Sequence, residues 1–433
     1  MDIKVGTKLC FVVIAIFIVM MIVLSEEIPF YLTYKKVDLN RALLCTGKRD
    51  LGQSVPEKSK ILGKVTSLFD IPINFYSKHK TNTSFTKIQS TSIPNKIIDI
   101  LLYKEQPFAT ERAVNKWLSN CFYNNCKATN KHAQWKNVSA VVYYYHAAFG
   151  IDKDPPISRA ERDPNQVWVY LNHEPPLKIN AQNFKSKTWL NTFNWTMTYR
   201  FDSDVFIPYG SLATKYSPQH KDYSAIYNMK TDVAFWMVGD CKAESGRDAF
   251  VYELQKHGLK VNTYGSCGQG KLDTNKTQEA LQRHKFYLAL ENTFCKDYVT
   301  EKFFDRYNDD LILVVRGGAD YDTILPTGTY VNAGNFETIQ DLANYLIELG
   351  NDKNKYMDMM KRKDTYKSIP DTFGSQYGFC DLCEKLNKVN LYKNSYENIA
   401  DHLQNDQCWL AKDVSVDIKV NRFVDVHKTF LCS

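Results

Sequence analysis

The stretch FYLALENTFCKDYVTEKFFDRY, Phe286 to Tyr307, runs from an apolar segment into an acid, an amide, a tyrosine and a Glu-Lys pair. In parallel α/β architectures ligands bind where a strand ends and a helix begins. A helix N-terminus carries about half a positive charge, so a cation in its first turn is ordinarily unfavourable. Two helix starts here are expected to carry one: Lys302 after Phe286–Leu290, and Arg247 after Asp232–Val238. Both positions make sense if an anion docks there, because amides, dipole and cation then act together. Two such corners on neighbouring strands predict a diphosphate site; the plain alternative is a pair of solvated surface cations.

The elements that must hold these corners alternate along the chain. KIIDILLY, SAVVYYYHA and VWVYLNHEPP read as strands, ERAVNKWLSN as a helix, and FNWTMTYRFDSDVFIPYG closes a first α/β block over 96–218. A second block over 231–360 is cleaner: strand DVAFWMVG, helix GRDAFVYELQKHG stopped by Gly258, strands LKVNTYG and KFYLAL, helix TEKFFDRYND and strand LILVV. Ser245 and Asp248 have capping-box spacing for the first of these helices. Alternation of this kind predicts parallel sheets with right-handed crossovers, and two blocks predict a two-domain enzyme with its site in a cleft. Residues 361–433 mix helix and irregular structure around CDLC.

Other nucleotide chemistries fit poorly. GSCGQG, Gly265 to Gly270, lacks the glycine order of a dinucleotide fold, and there is no Walker lysine motif. With 55 basic and 48 acidic residues among 433, the formal charge of +7 is too diffuse for a nucleic-acid partner.

The N-terminus assigns the compartment. The uncharged run LCFVVIAIFIVMMIVL follows Lys4 and Lys8 and precedes Ser25, Glu26 and Glu27, with no small-residue cleavage site. This predicts an uncleaved transmembrane signal-anchor over 9–25 in place of a cleaved signal peptide, with a cytoplasmic tail over 1–8 and the body in the lumen. The short span suits membranes of the early secretory route. A stem rich in Lys, Ser, Thr and Asn occupies 26–95. Asn82, Asn137, Asn194 and Asn275 each begin an N-x-S/T sequon, usable only in the lumen. The 11 cysteines lack zinc spacing and read as disulfides, with Cys380–Cys383 and Cys121–Cys126 as local pairs; the odd count leaves one thiol over, and Cys10 lies inside the membrane run.

Two long motifs identify a family. FYLALENTFCKDYVTEK resembles the donor-binding signature of α1,3/4-fucosyltransferases, and NWTMTYRFDSDVFIPYG, Asn194 to Gly210, resembles that family's second hallmark. The likeness runs from about Lys96 to Cys383. It implies a Golgi type II membrane enzyme of GT-B-like fold, two Rossmann-like α/β domains, that uses GDP-fucose. Carried over by position, Asn292, Tyr298, Glu301 and Lys302 match donor contacts, with Lys302 on the diphosphate and Glu301 on the ribose hydroxyls. Arg247 matches a second phosphate-binding residue. The general base of the family precedes a proline late in the first domain, which here is Glu174 in NHEPP; the family has serine and then proline after it, where this chain has Pro175 and Pro176. Cys380–Cys383 resembles the family's late C-x-x-C, implying a structural disulfide.

The chemistry asks for these residue types. An α-linked product from GDP-β-L-fucose needs a single inverting displacement, one carboxylate to take the acceptor proton, and cations to stabilise the leaving diphosphate. Glu174 supplies the first; Arg247 and Lys302 supply the second. No obligatory cofactor is expected, with Mn²⁺ or another divalent cation as a stimulant. Asp202-Ser203-Asp204 has the D-x-D form that holds metal elsewhere, but its place in the first-block signature favours a structural or acceptor-side role. His173, beside Glu174, reads as an ordinary loop histidine ahead of one that tunes the base or faces the acceptor. The expected acceptor is N-acetylglucosamine of a glycoprotein glycan, the N-glycan core ahead of outer-chain lactosamine or LacdiNAc. The rival from another class is an inactive glycan-binding protein on the same fold.

Overall fold

The structure, a computed structural model, describes residues 96–414 apart from short segments at 106–108, 146–153, 156, 158, 179–183, 216–220 and 371. The predicted tail, anchor and stem, with Asn82, lie outside the described residues.

The first sheet uses β1 (Ile98–Leu102), β2 (Cys126–Thr129), β3 (Ala140–Tyr144), β4 (Val167–Asn172), β5 (Trp195–Thr198) and β6 (Val205–Phe206), with helix α1 (Glu111–Leu118) crossing from β1 to β2. The order is β2-β1-β3-β4-β5-β6 and every pairing is parallel. β3 and β4 are buried at every position. That is why their apolar runs are continuous where a half-exposed strand would alternate. One face packs Ile100, Val142 and Val169, and the other packs Tyr143, Trp168 and Tyr170 against Phe184, Trp189 and Phe193.

Next come β7 (Gly210–Thr214) and α2 (Tyr223–Asn228). The second sheet follows: β8 (Asp232–Met237), α3 (Arg247–Lys256), β9 (Val261–Tyr264), α4 (Thr274–Arg283), β10 (His284–Leu290), the short β11 (Phe294–Cys295), α5 (Glu301–Phe304), β12 (Ile312–Arg316), α6 (Tyr321–Ile324) and β13 (Val331–Asn332). Its order is β13-β12-β10-β8-β9, again all parallel. α7 (Ile339–Asn351) and α8 (Lys353–Lys363) help cover one face through Leu342, Leu346, Tyr356 and Met360. The architecture is α/β with two parallel-sheet domains, the GT-B-like arrangement.

The chain then returns to where it began. β14 (Tyr366–Pro370) pairs antiparallel with β7, and α9 (Thr372–Asn387) places Phe379, Leu382 and Leu386 in the core of the first sheet. α10 (Ile399–Gln404) packs Ile399 and Leu403 on its opposite face, and β15 (Cys408–Trp409) pairs with β11.

Three local expectations differ from the structure. The cysteines do not pair as Cys380–Cys383 and Cys121–Cys126; the bonds are Cys121–Cys380 and Cys126–Cys383, with Cα separations of 5.3 and 5.9 Å. α9 carries both late cysteines on the face that lies against the α1–β2 turn, so each meets a partner across the packing and not along its own helix. The capping box is absent: Gly246, at φ 60°, caps α3, and Ser245 Oγ donates instead to Glu291 O at 2.7 Å. The helix expected over TEKFFDRYND is only the single turn of α5. The GSCGQG loop has a structural explanation. A Cβ at Gly265 would meet Val238 O at 2.2 Å, and Cys267 is bonded to Cys241, so the loop folds tightly over the end of β8.

Candidate active site

β4 ends at Asn172 and delivers Glu174, which stays partly exposed. Asn172, buried, accepts the Glu174 N–H on Oδ1 at 2.7 Å, and its Nδ2 donates to Tyr170 OH at 3.1 Å. The carboxylate lines a pocket with Tyr170, Asn172, Thr198, Tyr199 and Arg200. Tyr209 OH donates to His173 O at 2.7 Å, tying the PYG end of the first-domain signature to the strand end that holds Glu174. Burial lowers the His173 imidazole to about 4, so it is neutral at ordinary pH.

Tyr298 reaches the same place from the second domain. Its ring centre lies 4.9 Å from Tyr199 and 5.9 Å from Tyr209. Burial above all pushes Tyr209 and Tyr298 well above the usual phenol range, helped at Tyr209 by the charges of Glu174 and Glu301 and at Tyr298 by Tyr209 and then Glu174. Both therefore remain O–H donors. The two signatures touch directly: a Cβ at Gly210 would meet the Phe304 ring at 2.5 Å, and Phe201 N donates to Asp297 Oδ2 at 3.2 Å. Asp297 itself sits at φ 62°, an uncommon conformation for a residue with a side chain. Behind Glu174, Lys178 pairs with Glu244 at 2.7 Å and Asp240 at 3.3 Å in the loop that leads to Arg247.

The donor corner is built on Glu291, at the end of β10 and 2% exposed. Its oxygens accept from Thr300 N at 2.9 Å, Thr300 Oγ1 at 3.0 Å and Lys302 Nζ at 3.0 Å. Burial raises its carboxyl above the ordinary range, against the pull of Lys302. Burial works against the Lys302 charge, yet Glu291 and Glu301 outweigh it and raise the ammonium. Lys302 Nζ also bonds Thr300 Oγ1 at 2.8 Å and Glu301 Oε1 at 3.2 Å. Arg247, 4% exposed, donates to Leu290 O at 3.1 Å and Asp240 O at 3.0 Å, and its Nε is buried with no partner. Asn292 Oδ1 is likewise buried and unpartnered, while Asn292 O accepts from Ser245 N at 2.9 Å. A buried donor and a buried acceptor left open at one strand end are what a bound polar group would satisfy.

Asn292, Glu301, Lys302 and Arg247 thus gather at one end of the second sheet, and Tyr298 packs on Tyr199 and Tyr209 from the first-domain signature. The D-x-D carboxylates serve the fold. Asp202 makes a two-bond pair with Arg200 at 2.8 and 2.6 Å, and Asp204 Oδ2 accepts from Thr196 N, Thr196 Oγ1 and Tyr396 OH. Among the described residues no group of three or more His, Cys, Asp and Glu side chains is placed to hold a metal ion. Asn137 and Asn275 are exposed. Asn194 is half-buried, its Oδ1 accepting from Trp168 N at 2.9 Å and its Nδ2 donating to Asn394 O at 3.4 Å, so its amide ties β4 to the C-terminal segment. Sequence reasoning missed Glu291, whose only signal was an acid closing an apolar strand, and Tyr209, whose partner lies 36 residues away.

Two α/β domains, one offering Glu174 and the other a corner with Lys302, a buried Arg247 and the open amide oxygen of Asn292, are what a nucleotide-sugar-dependent glycosyltransferase requires. Residues 95–210 match the family model "Fucosyltransferase, N-terminal", and residues 227–402 match "Glycosyltransferase family 10 (fucosyltransferase) C-term". Relatives include alpha-(1,3)-fucosyltransferase fut-6 of Caenorhabditis elegans, 27% identical over 75% of this chain and 86% of that one. Alpha-(1,3)-fucosyltransferase C of Drosophila melanogaster is 33% identical over 62% and 66%. Human 4-galactosyl-N-acetylglucosaminide 3-alpha-L-fucosyltransferase FUT6 is 30% identical over 62% and 73%. Among solved structures, a crystal structure of an alpha1,3-fucosyltransferase aligns at TM-score 0.47 and 18% identity over 72% of this chain and 95% of that one. The chain belongs to glycosyltransferase family 10, the fucosyltransferases.

Proposed function

We propose that this fucosyltransferase moves L-fucose from GDP-β-L-fucose, with inversion, onto the 3-hydroxyl of N-acetylglucosamine in glycoprotein N-glycan cores, working in the Golgi lumen. The observation that carries the reading is the packing of Tyr298, from the loop between Asn292 and Lys302, on Tyr199 of the pocket that Glu174 lines. Glu174 takes the proton of the acceptor hydroxyl as its oxygen bonds to the fucose anomeric carbon. The bond from that carbon to the β-phosphate breaks, and GDP leaves with the electron pair. Lys302 and Arg247 stabilise the charge that develops on the phosphates, an effect worth most in a site shielded from water. Tyr298, held as a neutral hydroxyl, bridges the donor loop to the base. This division of labour supports a reaction without an obligatory metal, since cations at strand ends supply the positive charge.

The N-glycan core is favoured by the general likeness to invertebrate members of the family. The test is a panel of defined acceptors, core-type and outer-chain, incubated with GDP-fucose and read by mass spectrometry. Fucose on the core N-acetylglucosamine alone is the expected result. Fucose only on lactosamine or LacdiNAc would replace the acceptor, and binding of glycans without transfer would replace the enzymatic reading.

A further inference from the structure

Arg316 closes β12 beside the donor corner with its side chain 2% exposed. Its carbonyl accepts from Glu291 N at 2.9 Å, and its guanidinium donates through Nη1 to Ser245 O at 3.0 Å, two residues before Arg247. The same group lies 4.3 Å from the ring centre of Phe250 and 4.8 Å from that of Phe294. A guanidinium so buried is costly unless it is paired and hydrogen-bonded. Asp413 does both, accepting from Nε at 2.7 Å and Nη2 at 2.6 Å. Asp413 lies beyond residue 402, where the family match ends. The segment that carries it is tethered twice more to the donor corner. Cys408 is bonded to Cys295, and Lys296 N donates to Gln407 O at 2.8 Å.

We propose that residues 407–413 are a strap that positions the donor site, with Asp413 and Arg316 as positioning residues for the GDP portion of the donor. Arg316 fixes the Ser245 carbonyl, and the Ser245 N–H in turn holds Asn292 O, so one guanidinium sets Arg247 against Asn292. Without Asp413 the guanidinium must find other partners, and the start of α3 separates from the Asn292 loop. Neither residue touches a reacting atom in this arrangement, so the loss falls on donor binding and leaves acceptor binding alone. The inference rests on reading this corner as the donor site.

The test uses the full-length enzyme in detergent, with GDP titrated into wild type, Lys302→Ala, Asp413→Asn, Asp413→Glu and Cys408→Ser, alongside KM for GDP-fucose and for acceptor. Asp413→Asn is expected to weaken GDP about three- to tenfold and raise the GDP-fucose KM equally, the size of an ordinary net hydrogen bond, because Asp413 is partly exposed and acts through Arg316. Acceptor KM stays unchanged, Asp413→Glu restores most of the affinity, and Cys408→Ser shows the same donor-only pattern. Wild-type GDP affinity in Asp413→Asn and Cys408→Ser, or a change confined to melting temperature, overturns the strap. If wild type does not bind GDP, or Lys302→Ala binds it equally well, the donor-corner reading itself fails and the strap with it.

Discussion

Replacing Lys302 by alanine removes more than a donor contact. The ammonium lies 3.0 Å from Glu291 Oε2, and Glu291 is 2% exposed, so the substitution leaves a buried carboxylate with only the Thr300 donors. Breaking a buried pair by deleting one partner costs about 3–5 kcal/mol. The melting temperature should therefore fall by on the order of 10 °C. The penalty has a defined pH dependence. The Glu291 carboxyl is already raised above its ordinary value of 4.5 by burial, and losing Lys302 raises it further. An acid whose folded pKa lies above its unfolded value destabilises the fold as pH rises through that interval, and costs nothing below the unfolded value. Thermal melts of Lys302→Ala should thus approach wild type near pH 4.5 and diverge above it. The double variant Lys302→Ala/Glu291→Gln removes the stranded charge and should recover most of the melting temperature at neutral pH. It should not recover GDP affinity, because the cation is still missing. A single variant that melts like wild type at neutral pH, or a double variant that regains donor binding, would refute this assignment of the pair.

Three further outcomes follow from the same geometry. His173 is held near 4 by burial, against 6.5 for a free imidazole, so its contribution is present above pH 6.5 and lost as pH falls toward 4, to a total of about 3 kcal/mol; His173→Asn should flatten the acid side of a stability-against-pH curve, and an unchanged slope would remove His173 as the cause. Exhaustive EDTA should reduce transfer only partly, with added Mn²⁺ stimulating at most; complete, metal-reversible loss would return Asp202 and Asp204 to the active chemistry. Peptide mapping without reduction should recover Cys121–Cys380 and Cys126–Cys383, whereas a Cys380–Cys383 peptide would contradict the packing of α9.

The strands that build both sheets were legible because their apolar runs are continuous and end in polar corners, as in VWVYLNHEPP and KFYLALEN. Asn292 and Glu174 stood out because each lies two residues past a strand end, and Lys302 because it falls in the first turn of a helix. What escaped is long-range. Cys121 and Cys380 are 259 residues apart, Arg316 and Asp413 are 97 apart, and no local period marks either. Arg247 was read as a phosphate ligand from its place in the first turn of α3; its Nη1 and Nη2 also donate to the Leu290 and Asp240 carbonyls, leaving Nε for a ligand. The place of Asp202 and Asp204 in the first block favoured a structural or acceptor-side role over a metal site, but the partners themselves, Arg200, Thr196 and Tyr396, appear only when β5, β6 and the C-terminal segment are brought together.

The central claim is that Glu174 is the base for a displacement at the donor corner, and Glu174→Gln tests it most directly because it keeps shape while removing proton affinity. The measurement is single-turnover transfer from GDP-fucose to a defined acceptor, with GDP affinity determined on the same preparation. GDP should bind as in wild type while transfer falls by about 10²–10⁴-fold. Transfer near the wild-type rate with normal GDP binding would contradict the account and place the base on another carboxylate.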